Sequence, residues 1–95
     1  MADPVRIIMD VDTGVDDAMA LALAVRLPGI ELVAVTTVAG NVGIEHTTRN
    51  TRRVLAHLGA GDLPIHRGLS RPLAGSVIDA SEVHGDSGLG DLELP

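Results

Sequence analysis

The residues with the clearest capacity for chemistry lie in one stretch, Asp10-Val11-Asp12-Thr13-Gly14-Val15-Asp16-Asp17. Asp10 and Asp12 stand two apart on an extended segment, a spacing that puts both side chains on one face. Asp16 and Asp17 fall in the first turn of a following helix. Carboxylates this close repel and raise one another's pKa unless a cation lies among them. A hard, oxygen-seeking ion such as Ca2+ or Mg2+ relieves that repulsion. Helix capping accounts for part of the pattern: Thr13-Gly14-Val15-Asp16 fits a capping box, and acids in a first turn are favoured by the helix dipole. Capping leaves Asp10 and Asp12 unexplained. They sit at the C-terminal edge of a sheet, where open α/β sheets place their ligands.

The elements that must position these acids follow from hydrophobic patterning. Val5 to Met9 is short, continuous and rich in branched residues, and reads as a strand buried on both faces. A helix runs from about Val15 to Leu27, with Arg26 its only charge after Asp17. Apolar almost all round, it is expected to be buried on more than one side, and Pro28-Gly29 stops it. Glu31 to Val38 reads as a second buried strand, followed by the loop Ala39-Gly40-Asn41-Val42-Gly43. Ile44 to Leu58 is an amphipathic helix with Ile44, Thr47, Thr51, Val54, Leu55 and Leu58 on one face. Glu45, Arg49, Arg52 and Arg53 fall mostly on the other, and Gly59 is a fitting stop. Leu63-Pro64-Ile65-His66 is a third, short strand. This order predicts an α/β fold with a parallel, Rossmann-like open sheet, flanking helices and right-handed crossovers. Residues 1–95 read as a single incomplete domain, a core over 1–67 and a glycine-rich loop region over 68–95. A structureless stretch that long is unusual in a compact domain.

Composition narrows the function. The 95 residues contain no Phe, Trp or Tyr, so the core is built from Val, Leu, Ile, Ala and Met. A chain of this size buries roughly two-thirds of its unfolded surface. Net charge is -6, which argues against nucleic acid and against an anionic membrane as partners. There is no cysteine, hence no disulfide, thiol nucleophile or thiolate metal site. The N-terminus lacks the pattern of a signal peptide, and no apolar run is long enough to span a bilayer; a cytoplasmic location is expected.

Three blocks carry a family resemblance. Asp10-Val11-Asp12-Thr13-Gly14-Val15-Asp16-Asp17-Ala18 resembles the N-terminal signature of the inosine-uridine nucleoside hydrolases. Thr36-Thr37-Val38-Ala39-Gly40-Asn41-Val42 resembles their second block, and His84-Gly85-Asp86-Ser87-Gly88-Leu89-Gly90 their third. Thr13 stands where the family commonly has Pro. The resemblance implies bound Ca2+ and hydrolysis of the N-glycosidic bond of a ribonucleoside to ribose and free base. It further implies that Asp12 is a Ca2+ ligand and the general base, and that Asp17 is a second ligand. Asp10 would support the metal site, Asp16 would bond a ribose hydroxyl, Asn41 would fix ribose and water, and His84 would lie near the sugar or leaving base. The chemistry suits the residue types, since an oxocarbenium-like transition state is stabilised by nearby carboxylates. The family is far longer than 95 residues, and no ring is present here to stack on a base. The isolated chain is therefore expected to show weak or no activity.

Two other readings stand beside this one. Asp10-x-Asp12 after an apolar strand also resembles the haloacid-dehalogenase phosphatases, with Asp10 as nucleophile, Asp12 as acid/base and Mg2+ bound; Asp16-Asp17 and the other two blocks are then unexplained. A non-catalytic fragment that binds Ca2+ weakly or self-associates into a homo-oligomer fits the open sheet edge. Other signals carry less. Gly85-Asp86-Ser87-Gly88 matches a serine-protease loop without its context, and Asp10 to Leu21 is no EF-hand, because Leu21 stands at position twelve. His46 and His57 are expected at the surface, His66 packed at a strand end, and Arg49, Arg52 and Arg53 on a solvated helix face.

Overall fold

The computed structural model describes residues 3–40, 42–69, 88–90 and 94. Five elements follow in order: β1 (Val5–Val11), α1 (Val15–Arg26), β2 (Ile30–Thr37), α2 (Ile44–His57) and β3 (Ile65–Arg67). The strands form one sheet of order β1-β2-β3, and both pairings are parallel. Helical crossovers between neighbouring parallel strands are the expected α/β arrangement. The register brings Val11, Thr37 and Arg67 level across the C-terminal edge, so the segment after each strand emerges on that side.

One core sits between the sheet and the two helices. Val11, Leu32 and Val35 of the strands join Leu21 and Ala24 of α1 and Val54 and Leu55 of α2 in a single cluster, with Ile7 and Met9 packed against it. Side-chain alternation then turns Arg6, Ile8 and Asp10 to the other face. Among the described residues that face is open: Ile8 is 66% exposed and Arg6 and Asp10 are exposed beside it. The expectation of a first strand buried on both faces is therefore corrected, because helices cover one side only. The same holds for α1. Its Leu21 is fully buried, but Met19 and Leu23 are 68% and 59% exposed, so the helix is covered on one side despite its all-round apolarity.

Both helix ends have identifiable causes. The N-cap of α1 is Gly14, with no side-chain cap; the expected capping box at Thr13 does not form. Thr13 is fully buried and its hydroxyl is committed to Thr51. At the end of α2, Gly59 has φ +78°, its N–H bonds the Ala56 carbonyl, and the Ala60 N–H bonds Leu55. This is the Schellman arrangement, whose left-handed residue favours glycine. β3 lies slightly later than the expected strand, and His66 is exposed on it rather than packed. Among the described residues β3 is an edge strand of the sheet. No helix among the described residues is long and apolar enough to cross a membrane.

Candidate active site

The acidic stretch spans the end of β1 and the start of α1, as its spacing suggests, but its four carboxylates do not converge. Asp10 lies within β1, exposed, and its Oδ1 accepts the Thr36 hydroxyl at 2.7 Å. Asp12, just beyond the strand, is half-buried, and its backbone N–H donates to Asp17 Oδ2 at 3.3 Å. Asp17 turns back from the third position of α1, so the two carboxyls face one another across the turn and share a hydrogen bond. Asp16 is exposed beside them. Among the described residues no three His, Cys, Asp or Glu side chains gather into a group that could hold a metal ion. The pair Asp12–Asp17 is the nucleus of any such site.

The electrostatics of this pair are unfavourable. Burial, the hydrogen bond to the Asp12 carboxyl and the charges of Asp12 and Asp16 push the Asp17 carboxyl up to about 6 from 3.8, against a lowering by the Asp12 backbone N–H. A carboxyl raised by burial together with a specific charged neighbour is a candidate functional group. Gly40 closes the other side. A Cβ there would overlap Asp12 Oδ2 and lie 3.0 Å from Asp12 Cγ. The second block thus meets the first through a glycine that lets the backbone approach the carboxylate. Asn41 and His84, expected contributors, lie outside the described residues.

Beneath the acids is a neutral network that sequence reasoning did not identify. Thr51 Oγ1 donates to the Thr47 carbonyl at 2.8 Å, so its lone pairs accept the Thr13 hydroxyl at 2.6 Å. Asn50 Nδ2 donates to the Thr13 carbonyl at 3.2 Å. Thr37, at the end of β2, pairs with Thr48 through hydroxyls 2.8 Å apart. Thr13, Thr37, Thr47, Thr51 and Asn50 are each at most 2% exposed. This network holds the Thr13–Gly14 turn, and so the Asp12–Asp17 geometry, against α2. The available signal was Thr47-Thr48-Arg49-Asn50-Thr51, a polar run on a buried helix face. Buried hydroxyls and amides need partners, and those partners are the turn and the end of β2.

Part of the third block joins the same assembly. Gly88 has φ +96°, and a Cβ on it would come within 2.8 Å of Asn50 Nδ2, 3.1 Å of Val42 Cγ2 and 3.4 Å of the Thr13 carbonyl. Leu89 is buried in the core. The described parts of the three blocks therefore meet at one place.

An acid pair at the C-terminal edge of a parallel sheet, buttressed by a buried threonine network, belongs to an open α/β fold, the class that places its ligands at that edge. The family model for the inosine-uridine preferring nucleoside hydrolases matches residues 7–95, and the chain belongs to that family. It is 44% identical over 92 residues to the inosine-uridine preferring nucleoside hydrolase of Leishmania major, a match covering 97% of this chain and 29% of that one. It is 49% identical over 83 residues to a non-specific ribonucleoside hydrolase of Klebsiella pneumoniae, covering 87% and 27%. Among solved structures, a purine-preferring ribonucleoside hydrolase from Gardnerella vaginalis superposes with a TM-score of 0.88 at 35% identity, covering 96% of this chain and 30% of that one. The chain thus spans under a third of the length of these relatives. The family match includes Asp16-Asp17 and the other two blocks, which the phosphatase reading leaves unexplained.

Proposed function

We propose that this chain supplies the sugar-binding, acidic part of a Ca2+-dependent ribonucleoside hydrolase. The observation that carries the reading is the Asp12–Asp17 pair, two carboxyls held together across a helix N-terminus with the Asp17 carboxyl raised to about 6. The donor set fits the ion, since carboxylate oxygens are what Ca2+ takes and it relieves their repulsion. Ca2+ takes 6–8 oxygen ligands, so Asp12 and Asp17 are part of a set. When bound, the ion supplies positive charge that orients a ribose diol and acidifies water.

The chain's own residues then divide the work. Asp12 accepts a proton from the attacking water as general base. The carboxylates of Asp12 and Asp16 lower the energy of positive charge growing on the sugar as the glycosidic bond lengthens. Asp16, exposed at the start of α1, bonds a ribose hydroxyl, and Asn41 helps to fix ribose and water. Asp10, braced by Thr36, supports the site from the neighbouring strand position. His84 acts near the sugar or leaving base. With this partial ligand set the 95 residues alone release base weakly or not at all. The open face of β1 and the exposed side of α1 support self-association.

Thermal melting with Ca2+ and with a chelator tests the proposal. A preformed site raises the midpoint as Ca2+ is added, and Asp12→Asn abolishes the shift while leaving the chelated midpoint no lower than that of the parent. An unmoved midpoint in the parent chain at saturating Ca2+ would overturn the reading. Release of free base from inosine or uridine at family-like rates by this chain alone would overturn the claim of a partial site.

A further inference from the structure

The geometry points to a second binding site, for a small phosphate-type oxyanion, in the open groove between α2 and β3. The groove has a volume of about 470 Å³ and is lined by Glu45, Thr48, Arg49, Arg52, Ile65 and Arg67. Three guanidiniums thus border one concavity in a chain whose net charge is -6. All seven basic residues of the chain are arginine, none lysine. Arginine presents a planar fork that matches phosphate and carboxylate oxygens in pairs.

The electrostatic state of these arginines supports a ligand. Arg6 is paired with Glu31 and Arg26 donates to the Leu58 carbonyl at 2.9 Å. The side chains of Arg49, Arg52 and Arg67 have no ion pair or hydrogen bond among the described residues, and Glu45 is the one carboxylate in the lining. A solvated helix face explains Arg49 and Arg52 on α2 but not Arg67, which the sheet brings to the same groove from β3. Arg53, also exposed on α2, is not part of the lining.

The groove is separate from the acid pair yet lies on the same edge of the sheet. Thr48 in its lining pairs with Thr37, and the Gly68 N–H, one residue beyond Arg67, donates to the Thr37 carbonyl at 2.8 Å. Thr37 is level with Val11, the residue before Asp12. An anion held by Arg67 and the α2 arginines is thus separated from the acidic turn by one strand. This inference stands on the arginines and does not depend on the hydrolase reading.

The test uses the full 95-residue chain in Ca2+-free buffer. Inorganic phosphate, ribose 5-phosphate and ribose are titrated separately at constant ionic strength, with binding followed by calorimetry and by 31P NMR. Saturable binding of phosphate and ribose 5-phosphate, but not ribose, is expected. Arg52→Gln and Arg67→Gln each weaken it about tenfold, the scale of one lost charge-assisted contact, and Arg53→Gln leaves it unchanged. Circular dichroism confirms that each variant is folded. Equal binding by the parent, Arg52→Gln and Arg67→Gln, or binding of neither phosphate nor ribose 5-phosphate by the parent, overturns the site. Binding of ribose 5-phosphate alone keeps the site and assigns it to a phosphorylated sugar rather than the free ion.

Discussion

The acidic turn and the buried threonine network touch at Thr13, yet they are built on opposite terms. In the network every polar group has a partner: among the described residues no buried side-chain nitrogen or oxygen lacks a hydrogen bond. In the turn, Asp17 is pushed up to about 6 because burial withholds water from it and the Asp12 and Asp16 charges lie beside it. One region lowers the energy of the folded chain and the other raises it until a cation arrives. The difference shows how a small domain holds an unfavourable site, by anchoring its backbone to a satisfied neutral layer and leaving only the carboxylates frustrated.

The comparison is most severely tested by removing hydroxyls from the network. Thr13→Val leaves the Thr51 hydroxyl without its donor, and Thr51→Val leaves the buried Thr13 hydroxyl without an acceptor. Each is expected to cost about 1–3 kcal/mol, the penalty of an unmade buried bond. The double variant should cost much less than the sum of the two, because no orphan remains. Denaturant melts of all four proteins would show it, and strict additivity would mean that the two hydroxyls do not cooperate.

Gly88→Ala comes next. Its left-handed φ of +96° strains any side chain by about 1–2 kcal/mol, and the new Cβ presses on Asn50 Nδ2. The midpoint should fall, and the Ca2+-dependent gain should shrink with it if the glycine-rich block holds the Thr13 turn. Melts with Ca2+ and with chelator separate the two effects.

Asp17→Asn should act in the opposite sense. The Asp17 carboxyl binds its proton more tightly folded than unfolded, about 6 against 3.8. The folded state therefore holds more protons between those values, and stability falls as pH rises through them. With chelator at neutral pH the variant should be more stable than the parent, and below pH 3.8 the gap should close. With Ca2+ at neutral pH the order should reverse, since the parent alone keeps the ligand. A variant less stable than the parent at neutral pH in chelator would show that Asp17 is not frustrated. At the small end, Arg53→Gln on the exposed side of α2 should change the midpoint by no more than about 0.5 kcal/mol in equivalent free energy.

Local pattern carried much of this protein. Continuous branched runs gave the strands, the period of Ile44 to Leu58 gave the second helix, and Gly59 marked its end, because these features depend on neighbours within a few residues. The same locality placed Asp12 and Asp17 on either side of one turn, and the three blocks carried the family. Tertiary packing decided the rest. It turned Thr13 inward to Thr51 and passed the helix cap to Gly14, left one face of β1 and one side of α1 open, and bonded Asp10 to Thr36. It also brought Arg67 to the groove beside Arg49 and Arg52. Each of those outcomes depends on a partner roughly 15 to 40 residues away, and no local period reports where such a partner will lie.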